Sequence, residues 1–125
     1  MEQGDHMSYS ADPDAPLPLI DNRAVADWCA DLDKEDIEAI LAQVPEQCAF
    51  CLTELEAAVA AAELQKAKRI AHRLKGMAAN LGAIRLSRMA RGIEIEAQAV
   101  DDVSRQLPAL RTTIDETLAA LATLH

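Results

Sequence analysis

Among the three histidines of this chain, His72 is the one whose surroundings suit it for chemistry. It lies in the run Ala71-His72-Arg73-Leu74-Lys75-Gly76-Met77-Ala78-Ala79-Asn80-Leu81-Gly82, where apolar residues recur at helical spacing. At ~100° per residue, Ile70, Leu74, Met77 and Leu81 fall together within ~60° and define a core stripe, with His72 ~190° from its centre. The imidazole therefore faces solvent or a partner. Gln65, Lys68, Arg69, Lys75, Gly76 and Ala79 share its side of the helix. His6 belongs to a polar N-terminal segment and His125 is terminal. Histidines so far apart give no ligand set, so no metal is expected.

Two neighbouring features sharpen that chemistry. Gly76 sits one turn after His72 on the same face, and a helix-interior glycine costs about 1 kcal/mol relative to alanine. The missing side chain opens space beside the imidazole for a bulky reactant. From Leu64 to Ile93 the chain places eight basic residues (Lys66, Lys68, Arg69, Arg73, Lys75, Arg85, Arg88 and Arg91) and no acidic one, in a protein of net charge −9. Such a patch favours a phosphoryl group on the imidazole and an acidic partner site opposite it. Neighbouring cations also disfavour imidazolium and keep the neutral, nucleophilic ring. Gln65, Lys68, Arg69, Arg73, Ala79, Arg85 and Arg88 are the expected partner-docking residues.

The elements that must position these residues are helices. Half of the 125 residues are hydrophobic but only 2% are aromatic, and glycine is scarce, a composition suited to helices packed on helices. Residues 1–16 are polar and acidic with Pro13 and Pro16, and read as a disordered tail; residues 17–125 read as one domain. Asp21 is placed to cap a short first helix carrying Val25, Trp28, Cys29 and Leu32. A second helix opens near Asp33, and Pro45 within it predicts a kink or a split. The third runs from about Glu63 to Asn80 and stops at Gly82. The fourth buries Leu86, Met89, Ile93, Ala97 and Val100, and Asp101 or Asp102 caps a fifth. Short connections predict an all-α fold, an antiparallel up-down four-helix bundle with a short extra N-terminal helix.

Several classes are excluded or disfavoured. The acidic balance argues against nucleic acid as a partner. No apolar run approaches the ~20 residues that span a bilayer, and the N-terminus has no signal-peptide pattern, so a cytoplasmic location without membrane contact is expected. One bundle that buries all its stripes is expected to be a monomer. Cys48-Ala49-Phe50-Cys51 raises a redox reading, yet both thiols lie at or beside a buried helical stripe with no β-α-β pattern around them. Core thiols are the expectation there and at Cys29.

The run from Ala71 to Gly82 resembles the signature of the histidine phosphotransfer (HPt) domain, a His-x-x-Lys-Gly core with a second glycine six residues later. The likeness in helix pattern extends from about Leu17 to Leu124. It implies that His72 is the phosphoacceptor, that Lys75 stabilises the phosphorylated state, that Gly76 admits the incoming receiver and that Gly82 ends the helix. Met77 departs from the small residue common at its position. The resemblance further implies a phosphoryl carrier in a multistep two-component phosphorelay. Its partners would be response-regulator receiver domains, with a Mg-dependent aspartate site on the partner, and a hybrid sensor histidine kinase. No cofactor is implied, and no glycine-rich nucleotide loop is present, so the chain is expected not to be an enzyme or to phosphorylate itself. The alternative is a helical adapter that binds a receiver or other partner without accepting phosphate. The dimerisation domain of a sensor kinase is disfavoured, since Arg73 stands where an acid usually follows the histidine.

Overall fold

The computed structural model describes residues 17–124. The expected tail at 1–16, with His6, and the terminal His125 lie outside the described residues. Five helices follow one another: α1 (Asn22–Ala30), α2 (Lys34–Ala60), α3 (Leu64–Leu81), α4 (Ile84–Glu96) and α5 (Val100–Leu121). No strand occurs among the described residues. The largest helix–helix interface joins α3 to α4; α2 packs on α3, α4 on α5, and α5 returns to α2, so these four enclose one core.

The helix starts follow local chemistry. The Asp21 carboxylate accepts the N–H groups of Arg23 and Ala24, and that of Asp33 accepts the N–H of Asp36, each satisfying donors that the first helical turn leaves open. At α5 the capping expectation needs correction. The helix begins at Val100, whose N-cap is Ala99, and Asp102 reaches back from the third position to accept the N–H groups of Gln98 and Ala99. Those contacts, first of all the Gln98 N–H, hold the Asp102 carboxyl below its usual range. Val100, expected on the buried line of α4, instead opens α5 and is only half-buried. Pro45 does not split α2, which runs unbroken through it. The proline ring is exposed, while Val44 beside it and Cys48 one turn on are anchored in the core.

The core is built from Leu55, Leu74, Leu86, Leu110 and Val103, all essentially inaccessible, with Ala58, Ala67, Ala71, Ala78, Ala83 and Ala90 equally buried between them. The alanines matter for the site, because small side chains let the α3 backbone approach its neighbours closely. They also rotate the buried stripe of α3. With Ala67, Ala71 and Ala78 included, its centre moves ~40° from the line drawn through the large residues, and Met77 is left at its edge, half-buried.

Gly82 ends α3 in the left-handed conformation, φ 80°, and hands its N–H to Ala79. A Cβ there would stand 3.0 Å from Val25 Cγ2 and 3.2 Å from the Asp21 carbonyl, because α1 lies against this turn. The Asp21 N–H donates to the Gly82 carbonyl at 2.8 Å, and the Trp28 indole N–H donates to the Leu81 carbonyl at 2.9 Å. The α2–α3 turn uses the same left-handed region at Ala62, φ 57°, where the side chain is a burden. The two turns therefore respond in opposite directions. Gly82→Ala is expected to lose about 1–2 kcal/mol from the conformation alone, with crowding against Val25 added, whereas Ala62→Gly is expected to gain up to about 1 kcal/mol. Urea unfolding of both variants, followed by the fluorescence of Trp28, checks the pair.

Candidate functional site

The cap at Gly82 fixes where α3 stops, and Ala83 turns the chain directly into α4. Residues about three turns on either side of this corner meet across the α3–α4 interface. The Lys68 ammonium donates to the Ala97 carbonyl at 2.9 Å, and the Ser87 hydroxyl donates to the Lys75 carbonyl at 3.2 Å. Between these two ties lies His72.

The His72 side chain is 63% exposed, on the face opposite the buried Ala71 and Leu74. Its Nδ1 lies 2.6 Å from Glu94 Oε2, and the other oxygen of the same carboxylate, Oε1, accepts from the Lys75 ammonium at 2.7 Å. One carboxylate on α4 thus holds both the imidazole and the lysine of α3. The Lys75 hydrogen bond, aided by that of His72 and opposed by burial, holds the Glu94 carboxyl below the usual carboxylate range. An ionised carboxylate is an acceptor only, so the shared proton sits on Nδ1, and in the neutral ring Nε2 keeps its lone pair. Among the described residues Nε2 has no hydrogen-bond partner. That arrangement presents a ring nitrogen for nucleophilic attack, with a carboxylate behind it to take up positive charge as the attack proceeds.

Glu94 was not anticipated in the sequence, and it corrects the picture of a purely cationic ring. The acid-free run ends at Ile93, and the next residue is the one that folds back onto His72. A second acid enters from α2, where Glu54 accepts from the Arg73 guanidinium at 2.5 Å. The signal for Glu94 was available in the hairpin geometry, since it lies about as far after the Gly82 corner as His72 lies before it.

The expected docking residues divide by position. Gln65, Lys68, Arg69 and Arg73 line a groove of about 740 Å³ together with His72, Glu54 and Glu94. Ala79 and Arg88 line a second groove of about 320 Å³ with Ser87, Arg91, the cap residue Asp21 and Ala24 of α1. Arg85 lines neither: its guanidinium donates to the Leu17 carbonyl at 2.7 Å and lies 3.8 Å from Glu116, tying the segment before α1 to the bundle. Gly76 is exposed, and a Cβ built there would meet nothing within 4 Å.

The remaining candidate chemistries find little support. Cys48 and Cys51 are buried, free thiols, and desolvation, followed by the neighbouring Cys51, pushes the Cys48 thiol up to about 11. Burial raises Cys51 also. Among the described residues no group of three or more histidine, cysteine or acidic side chains is arranged to hold a metal ion. No described helix is long and apolar enough to cross a membrane.

The described helices thus display one clasped, outward histidine beside an open glycine. A family model for the Hpt domain matches residues 35–121, well over half the chain, and the protein belongs to that family. Its members carry phosphoryl groups on histidine in phosphorelays, interact with receiver domains and kinases, and are carriers rather than kinases. No curated protein and no solved structure matches the chain. The matched span contains His72, Lys75, Gly76 and Glu94 but begins one residue into α2, so α1 with its ties to Leu81 and Gly82 lies outside it.

Two outcomes follow from this geometry. The Glu94 clasp is present above the ordinary carboxylate pKa of about 4.3 and is lost only as pH falls through the lower folded value. Side-chain ¹³C NMR of Glu94 is therefore expected to titrate below the ordinary glutamate range in the wild type, and nearer to it in Lys75→Met. Native thiol labelling at pH 8 is expected to be slow at Cys48 and Cys51 and fast in denaturant; rapid native labelling of both contradicts their burial.

Proposed function

We propose that this protein is a phosphorelay intermediate that accepts a phosphoryl group on His72 from the phospho-aspartate of a receiver domain and passes it to another receiver. The observation that carries this reading is the clasp itself: Nδ1 is engaged by Glu94 while Nε2 is free on an exposed ring. In the forward step Nε2 attacks phosphorus in line with the aspartyl oxygen. The N–P bond forms, the acyl P–O bond breaks, and the aspartate leaves as a carboxylate. The ring keeps its Nδ1 proton and gains positive charge, which the Glu94 carboxylate stabilises, as preorganised charge does in other transfer sites. The magnesium ion and acidic pocket that activate the phospho-aspartate belong to the receiver.

In this reading Lys75 acts first as a positioning residue. Its ammonium occupies Oε1 of Glu94 and so fixes Oε2 toward the imidazole. Gly76 leaves the approach to Nε2 open one turn on, and the two grooves flanking α3 supply the contacts for docking. Residues 17–125 form one phosphotransfer unit, an antiparallel up-down four-helix bundle with α1 as an extra helix. It works in the cytoplasm as a monomeric carrier downstream of a hybrid sensor kinase.

A transfer screen against phosphorylated receivers tests the reading. Acid-labile, base-stable label is expected on the wild type and none on His72→Gln. Glu94→Ala is expected to slow transfer about tenfold or more through loss of orientation and charge stabilisation. Wild-type protein that binds receivers yet takes no label from any of them would make it an adapter.

A further inference from the structure

The structure raises the question of which cation on this chain meets the phosphoryl group once it is on Nε2. A phosphohistidine carries close to two negative charges at neutral pH, and such a group is recognised by guanidinium or ammonium donors. Five cations lie on α3, and three are already engaged. Lys68 donates to the Ala97 carbonyl, Arg73 to Glu54, and Lys75 to Glu94. Lys66 and Arg69 have no hydrogen-bond or ion-pair partner among the described residues.

Geometry separates these two. Arg69 precedes His72 by three residues, which makes the pair neighbours on the helix surface with Cβ atoms about 5–6 Å apart. Lys66 is six residues away, some 9 Å along the axis and ~120° around it. Arg69 is turned ~60° from His72 toward the α2 flank, while Lys75 is turned by a similar angle the other way, toward Glu94. Exposed Arg69 lines the 740 Å³ groove with His72, as does Lys66, so distance from the histidine is what separates those two, whereas Arg88 and Arg91 line the second groove, which does not include the histidine. The carboxylate therefore serves one side of the imidazole and leaves the guanidinium on the other.

We infer that Arg69 is the phosphoryl-binding residue of the phosphorylated protein, with its guanidinium closing on the oxygens of phospho-His72 while Lys75 stays on Glu94. The inference rests on His72 being the phosphoacceptor, as proposed above, and assigns to Arg69 the role that the family resemblance gives to Lys75. The division of labour has a physical basis. Transferring Lys75 to the phosphoryl group would strip Glu94 of its lysine partner just when Glu94 must face a cationic ring. Arg69 has no such bond to break, and its planar fork can take two phosphoryl oxygens at once.

The test uses the full-length protein and a small donor, potassium phosphoramidate, which labels histidine without a receiver. In ³¹P NMR the phosphoryl group of the wild type is expected to titrate at lower pH than that of N-acetyl phosphohistidine. Arg69→Ala should return it toward the free value, Arg69→Lys should restore part of the shift, and Lys75→Met should leave most of it. With a receiver present, Arg69→Ala is expected to move the transfer equilibrium about three- to tenfold toward the receiver, the size of a partly exposed charge-assisted contact. Arg69→Ala superimposing on wild type in both readouts, or Lys75→Met alone abolishing the shift, overturns the assignment. A wild type labelled by phosphoramidate but by no receiver would instead count against the relay reading, and the titration would still judge Arg69. A His72 that takes no phosphoryl group even from phosphoramidate overturns both.

Discussion

The site depends on a single carboxylate, that of Glu94, held between an imidazole and an ammonium of the neighbouring helix. Without it His72 would be a free surface rotamer with two interchangeable tautomers. With it, the ring is fixed at one nitrogen and open at the other. The clasp in turn requires α3 and α4 to lie close and in one register, and the buried alanines with the Gly82 corner provide both. Ser87 and Lys68 tie the same interface on either side of the histidine.

A surface ion pair is usually worth little to stability, and nothing in this arrangement asks it to be worth more. Its effect is on chemistry. Lys75 makes the carboxylate a poor base, since it stays ionised to lower pH, and a well-placed acceptor, since one oxygen is already occupied. Binding energy from the fold is thereby spent on orientation before any partner arrives, and a transfer centre gains most from that kind of preorganisation. On the proposed reading, the open side of the ring, with Gly76 one turn on and Arg69 one turn before, is where the phosphoryl group and the domain that brings it would arrive.

Much of this was legible in the sequence. The outward position of His72 followed from the spacing of Ile70, Leu74 and Leu81, because helical periodicity fixes opposite faces without knowledge of the neighbours. Asp21, Asp33 and Gly82 announced their helix ends through side-chain chemistry that acts within a few residues. Of the kink or split that Pro45 predicts, the split does not occur: the rule against proline is local, while the packing of Val44 and Cys48 on either side of it is tertiary. The deeper omission was Glu94. Along the chain Glu94 lies just beyond the acid-free run, whereas the electric field at His72 depends on distance in space. Arg85 misled in the converse way, being basic and close in sequence to the patch yet turned to Leu17 and Glu116.

On the proposed reading, Glu94 fixes the tautomer of His72 and leaves Nε2 as the nucleophile. Long-range ¹H–¹⁵N NMR of the His72 ring at neutral pH, in the unphosphorylated protein, reads this directly. A protonated Nδ1 correlated with Glu94 and a bare, pyridine-like Nε2 are expected, with the two averaging together in Glu94→Ala. A wild-type ring protonated at Nε2, or one already averaging between tautomers, would contradict it.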